Sequence, residues 1–245
     1  MGWTRADYRH RYGGSLGFYD PVTQETLDIM KPIKFVEDFL GASGGGPFDG
    51  TVMWHVVDVG DATEAISANS ANGVFKLHLA ITGEAEDAVL YMNDNKTFDV
   101  GSGLIVEMRV NVAVNIGAGV TAVFGMAGDH NLAKDSVTEH AWFRLQASNA
   151  VLVETDDTTN DNDDKATGIT AVAGTYNIYR IDFTDLTDVK FFIDGAPVAT
   201  GTTFDMSNLT AGEQQMQPYF SLDKASGAGL GDLDIDYFKA WQDRS

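Results

Sequence analysis

Apolar and polar positions alternate along most of this chain with a period of two, the spacing of a strand that lays one face on a core. Between Tyr176 and Phe183 the alternation puts Tyr179, Ile181 and Phe183 on one side and Ile178, Arg180 and Asp182 on the other. Polar TDLTD follows, then a second strand at Val189–Ile193, then Asp194-Gly195, a pair that tolerates the two positive φ angles of a tight hairpin. Pro197 soon after that turn predicts that the third strand lies at a sheet edge. The same texture predicts strands at FVEDF (35–39), Thr51–Val59, Val74–Ile81, Ala88–Met92, Leu104–Asn115, Val120–Met126, His140–Gln146, Ala150–Glu154, Met216–Leu222 and Leu233–Trp241. In the longest, Leu104, Val106, Met108, Val110 and Val112 oppose Ile105, Glu107, Arg109 and Asn111. In the last, Leu233, Ile235, Tyr237 and Trp241 are predicted to share one face, with Asp232, Asp234 and Asp236 as a water-facing ladder on the other. Strands separated by Gly, Asn and Asp turns, without a long amphipathic helix, define an all-β antiparallel sandwich. Leu27–Met30 and Met206–Leu209 read as short helical turns, and a Gly-rich loop spans Gly41–Gly50.

Residues 1–34 break this texture. They interleave Trp3, Arg5, Tyr8, Arg9, Arg11, Tyr12, Phe18 and Tyr19 around a Gly13-Gly14 break. They read as an extended N-terminal arm that orders on a partner, ahead of a sandwich domain at 35–245. A mobile terminus, or a nucleic-acid contact through Arg5, Arg9 and Arg11, are the alternatives.

Composition narrows the function classes. The chain has 245 residues, a formal charge of -20 and no cysteine, which excludes disulfides and thiol chemistry. The arm is nearly balanced, so residues 35–245 carry 11 basic and 32 acidic side chains and repel nucleic acid. No apolar run reaches the ~18 residues of a membrane span, and the N-terminus lacks the order of a signal peptide.

Candidate chemistry is sparse. The acidic run Glu154–Asp164 has oxygen ligands in the density Ca²⁺ prefers, but it lacks the Gly and closing Glu of an EF-hand and reads as a solvated hairpin loop. His10, His55, His78, His130 and His140 show no metal spacing. Glu84 and Glu86 form the nearest glutamate pair and read as a solvated turn. Trp54, Trp142 and Trp241 are the candidates for stacking on a sugar, against a plain core role.

FVEDFLG at 35–41, YRIDFTDLTDVKFFIDGAPVAT at 179–200 and LDIDYFKAWQDR at 233–244 together resemble the concanavalin A-like (laminin-G-like) jelly-roll domains. The fold serves many activities, so the resemblance speaks more to architecture than to function. Laminarinase-type glycoside hydrolases belong to it, but their E-x-D-x-x-E strand has no match here, which predicts no enzyme, no catalytic residue, no metal and no cofactor. The aromatic–basic arm and the closing strand look most like structural proteins of tailed bacteriophages. That resemblance implies a capsid decoration or cement protein on the capsid exterior of the virion, made in the host cytoplasm. It would attach through the arm to the major capsid protein or other virion proteins as a homo-oligomer, with a trimer as the first expectation and no membrane contact. A lectin-like carbohydrate-binding module, with a glycan as ligand, is the alternative.

Overall fold

The computed structural model describes residues 33–40 and 53–244, together with the backbone of three short strands before them. Those three are β1 (Asp7–Tyr12), β2 (Ser15–Tyr19) and β3 (Thr26–Leu27), paired in that order as an antiparallel meander. The sandwich then follows as β4 (Ile33–Glu37), β5 (His55–Val59), β6 (Thr63–Ile66), β7 (Phe75–Leu79), β8 (Glu86–Tyr91), β9 (Phe98–Asp99) and β10 (Ile105–Val114). The next strands are β11 (Val120–Ala127), β12 (Glu139–Leu145), β13 (Ala150–Asp157), β14 (Asp161–Thr170) and β15 (Tyr176–Asp182). The chain closes with β16 (Lys190–Ile193), β17 (Ala196–Val198), β18 (Gln215–Lys224) and β19 (Gly231–Gln242).

Two antiparallel sheets result, as the alternation predicts. Sheet I runs β17-β16-β15-β10-β19-β7-β6, with β4 also on β19, and sheet II runs β14-β13-β12-β11-β18-β8-β5, with β9 on β18. Pro197 lies in β17, the end strand of sheet I. Asp194 and Gly195 take φ of 48° and 76°, the paired positive angles of a type I′ hairpin. The inward sides of the two sheets supply one core. Leu104, Val106, Met108, Val110, Tyr179 and Ile181 come from sheet I, and Ala122, Phe124, Met126, Phe143, Phe220 and Leu222 from sheet II. Aromatic rings lock the layers edge to face: Phe124 on Tyr179 at 4.7 Å, Phe143 on Phe191 at 5.4 Å, and Phe220 on Phe238 at 6.1 Å. Each buried phenylalanine contributes about 2–3 kcal/mol of transfer free energy to this layer.

Three sequence expectations change. The first concerns β19. Asp236 is an extra residue between the pairs Val110–Ile235 and Arg109–Tyr237, a β-bulge that reverses the phase of the strand. Leu233 and Ile235 enter the core as expected, but beyond the bulge Phe238 and Ala240 take their place. Tyr237 and Trp241 turn to the outer face, where Tyr237 donates to Glu107 Oε1 at 3.0 Å and Trp241 packs on Ile105. Nor are the acids a free water-facing ladder. Asp232 pairs with Lys76 at 2.8 Å and with His78, Asp234 accepts from Asn111 at 3.3 Å, and Asp236 pairs with Arg109.

The second concerns the acidic run. It is the end of β13, a short turn and the start of β14, because Asp157 rewards the turn residues with hydrogen bonds that a solvated loop would lack. Asp157 is buried and accepts from the Thr159 and Asn160 amides at 3.0 and 2.6 Å, and across the surface from Asn208 N and Nδ2 at 3.1 Å each. Burial pushes its carboxyl up, but the amides of Asn160, Asn208 and Thr159 outweigh that and hold it below its usual value.

The third is Glu86. Its side chain is fully buried, not in a solvated turn, and meets the equally buried Lys224 Nζ at 3.2 Å. The Ala80 amide donates to Glu86 at 2.7 Å, while Lys224 Nζ donates to the carbonyls of Ala80, Thr82 and Gly229 at 2.6, 2.9 and 3.3 Å. Burial alone would raise the Glu86 carboxyl, and its bonds to Thr82, Lys224 and Ala80 lower it instead. The Gly41–Gly50 loop and the side chains of the arm, Trp3, Arg5, Tyr8, Arg9, Arg11, Tyr12, Phe18 and Tyr19, lie outside the described residues.

Candidate functional site

The outward face of sheet II carries a continuous row of polar and aromatic groups away from the core. Register places His55, Tyr91, Tyr219, Gly125, Trp142 and Glu154 in one cross-strand row. The rings follow one another at 5.4 Å (His55–Tyr91), 6.2 Å (Tyr91–Tyr219) and 6.1 Å (Tyr219–Trp142). Gly125 is required within it, since a Cβ there would lie 2.4 Å from the Ala141 carbonyl oxygen and 2.7 Å from Trp142 Cα.

Residues 128–138 cross this face as a strap between β11 and β12. The His130 amide donates to Asp94 Oδ1 at 2.7 Å, and its Nδ1 lies 2.8 Å from the Tyr219 hydroxyl. Lys134 reaches down to Asp87 Oδ2 at 2.8 Å and to the Leu132 carbonyl at 3.2 Å, both its charge and that of Asp87 being buried. Asp135 meets Arg144 Nη1 at 3.0 Å, and His140 Nδ1 donates to the Val137 carbonyl at 2.9 Å. Under the strap, His140 stacks on Trp142 at 3.8 Å, and Trp142 Nε1 donates to Glu154 Oε2 at 2.7 Å. Arg144 Nη1 holds the other Glu154 oxygen at 3.1 Å.

Beside the strap a cleft of about 500 Å³ opens on the face, with Glu86, Asp87, Thr121, Lys134, Asp135, Arg144, Asp223 and Lys224 among its polar lining and Val59, Ala85, Leu132 and Ala133 among its apolar walls. Asp223 and Asp87 are direct cross-strand neighbours on β18 and β8. Burial pushes the Asp223 carboxyl up to about 6, with Asp87 and Asp135 adding to the effect and Lys134 and Arg144 opposing it. Burial likewise pushes Glu154 up to about 7, against the Trp142 N–H and the Arg144 charge, and depresses the His140 imidazole to about 4.

Glu154 therefore makes stability depend on pH. The folded carboxyl keeps its proton up to about 7, whereas the unfolded one releases it near 4.5, so its contribution falls as pH rises through that window. His140 runs the other way, losing stability as pH falls from 6.5 towards 4, and cancels when two proteins with the same histidine are compared. Glu154→Gln, which cannot ionise and still accepts from Trp142, is expected to gain on the native protein between pH 4.5 and 7.5 by on the order of 2 kcal/mol. Urea unfolding of both at three pH values measures the gap, and parallel stability curves would contradict it.

The sequence candidates lie differently from expectation. Trp54, Trp142 and Trp241 are all buried, Trp54 donating to Glu37 Oε2 at 3.1 Å, so none offers an open stacking platform. Among the described residues no group of three or more His, Cys, Asp or Glu is placed to hold a metal ion. The cleft residues Asp87, Lys134, Arg144 and Asp223 come from four separate segments, and in the sequence each acid or base reads as an ordinary outward-facing position.

This is the class of concanavalin A-like sandwiches: two antiparallel sheets, a single core and a ligand-sized cleft on one outer face. Within it, residues 70–236 match the family described as SO2946-like, C-terminal domain, and the chain belongs to that family. SO2946 from Shewanella oneidensis MR-1, a protein of unknown function, superposes with a TM-score of 0.56 at 13% identity, over 86% of each chain. The Emp47p carbohydrate recognition domain superposes with a TM-score of 0.52 at 10% identity, over 78% of this chain and 89% of that one. A β-1,3-glucanase from Mycobacterium marinum gives 0.55 at 14% identity, over 84% of this chain and 97% of that one. No curated protein matches by sequence. The expectation that the chain is not an enzyme is overturned here. Glycoside hydrolases share this scaffold over most of their length, so the missing E-x-D-x-x-E strand removes one catalytic arrangement and not the activity as a class.

Proposed function

We propose that this chain is a carbohydrate-binding domain whose ligand seats in the cleft beside the strap. The observation that carries the reading is the cleft itself: about 500 Å³, with carboxylates and cationic side chains converging from β8, β12, β18 and the strap on apolar walls. Sugar hydroxyls donate and accept at once, so a lining that mixes carboxylate acceptors with Lys and Arg donors suits them. The similarity of fold to a carbohydrate recognition domain supports the same reading. Leu132, exposed on the cleft wall, is the position to block. The full chain is expected to bind at least one glycan class on an array, and Leu132→Trp to lose that binding without a change in thermal midpoint. An array with no binder above background, with and without Ca²⁺, would remove the proposal.

A second reading, glycoside hydrolysis, is favoured by one observation. Asp223, with its raised carboxyl, lies directly across from the ion-paired Asp87, and glycosidases work with two carboxyl groups in different states. Release of reducing ends from a bound glycan by the native chain, and not by Asp223→Asn, would select it.

The virion setting is a separate proposal, supported by the likeness of the arm and closing strand to phage structural proteins. A chain lacking residues 1–19 that still joins particles at full occupancy would overturn it.

A further inference from the structure

We propose that the cleft selects saccharides bearing a protonated amine, of the glucosamine type, and seats the ammonium against Asp223. The inference rests on the carbohydrate-binding reading of this cleft and names its ligand class.

The charge pattern leads there. Each cation of the wall already has acidic or carbonyl partners, although the buried Arg144 Nε donates to none. Lys134 is held by Asp87 and the Leu132 carbonyl, Arg144 by Asp135 and Glu154, and Lys224 by Glu86 and three carbonyls. Asp87 accepts a further bond from Ser221 Oγ at 3.1 Å. Asp223 is the wall's carboxylate without a donor: its Oδ1 is buried and accepts no hydrogen bond. It is faced by Asp87 from β8, Thr121 from β11, Arg144 from β12, and Lys134 and Asp135 from the strap. A half-buried carboxylate that lines the cleft and has a donorless oxygen calls for a donor, and best for a charged one. An ammonium brings three donors and cancels the charge, where a hydroxyl brings one donor and cancels nothing. A uronate or sulfated sugar would meet Asp223 and Asp135 as like charges, with Lys134 Nζ and Arg144 Nη1 occupied elsewhere. The chain's net charge of -20 adds long-range attraction for cationic sugars.

The test titrates the full chain with tetramers of β-1,4-linked glucosamine, N-acetylglucosamine and glucose, at pH 7 and 150 mM salt. The glucosamine tetramer is expected to bind at least tenfold tighter than the other two. Asp223→Asn should bring all three within about twofold while Asp185→Asn, at a remote exposed acid, preserves the preference. The preference should also shrink as pH falls below about 6, where Asp223 takes up a proton. Three results overturn the inference. Equal affinity for amine and neutral tetramers removes the amine and leaves sugar binding standing. Equal losses in Asp223→Asn and Asp185→Asn reduce it to bulk charge. Binding of none of the three tetramers rejects this ligand class, and the glycan array then decides separately on carbohydrate binding.

Discussion

Lys224→Met is expected to cost about 3–5 kcal/mol of folding stability, the loss found when one member of a buried ion pair is removed and the other stays behind. The position explains the size. Lys224 and Glu86 are both fully buried, and Lys224 Nζ also ties together three backbone carbonyls from the 80–82 and 229 turns. Methionine fills much of the same volume, so the loss measures charge and hydrogen bonds more than packing. Adding Glu86→Leu should recover most of it, because an apolar pair removes the stranded carboxylate as well. Guanidinium unfolding of the native protein, the single variant and the double variant completes the cycle. A single variant within about 1 kcal/mol of native would mean the pair behaves like a solvated one.

Asp157→Ala is the second large effect, at about 2–4 kcal/mol, since several donors lose a buried charged acceptor together. Asp157 serves two segments, the turn at 158–160 and the chain at Asn208. Amide exchange should therefore accelerate at Asn160 and Asn208 together, although they are far apart in sequence. Asp157→Asn, which keeps acceptor capacity and loses the charge, should fall between native and alanine. Acceleration confined to residues 158–160 would show that Asn208 is held by something else.

Much of the fold could be read from the residues because alternation reports burial directly. The inward faces of β10 and β15 are those the pattern assigns, down to Tyr179, Ile181 and Phe183. What escaped depends on contacts between distant strands. The bulge at Asp236 leaves no mark in the local pattern, because Tyr237 and Phe238 fit either face equally well. β14 was hidden because its residues, DNDDKATGIT, are polar for the reason that suits an edge strand, and edge strands look like loops. The cleft was less legible still. Asp87 and Asp223 are more than a hundred positions apart and become neighbours only through β8–β18 pairing. Nothing in the AKDS stretch announces that Lys134 will be drawn under a strap. Trp54, Trp142 and Trp241 are the sequence's candidates for a sugar surface, yet hydrophobic burial claims all three.

The bulge at Asp236 also divides labour along β19. Before it, Gly231–Ile235 zips to β7; after it, Phe238–Gln242 zips to β4, on the same edge. The extra residue sits at the handover between two partners that arrive from different parts of the chain. Loss of that one codon would therefore be absorbed by the strand: Ile235 and Tyr237 would follow each other opposite Val110 and Arg109 in plain alternation. Tyr237 and Trp241 would stay outside, Phe238 and Ala240 would stay in the core, and β4 and β7 would keep their partners. A deletion at Asp236 thus spares the facing of both halves, although in a strand without a bulge the loss of one residue would turn everything beyond it over.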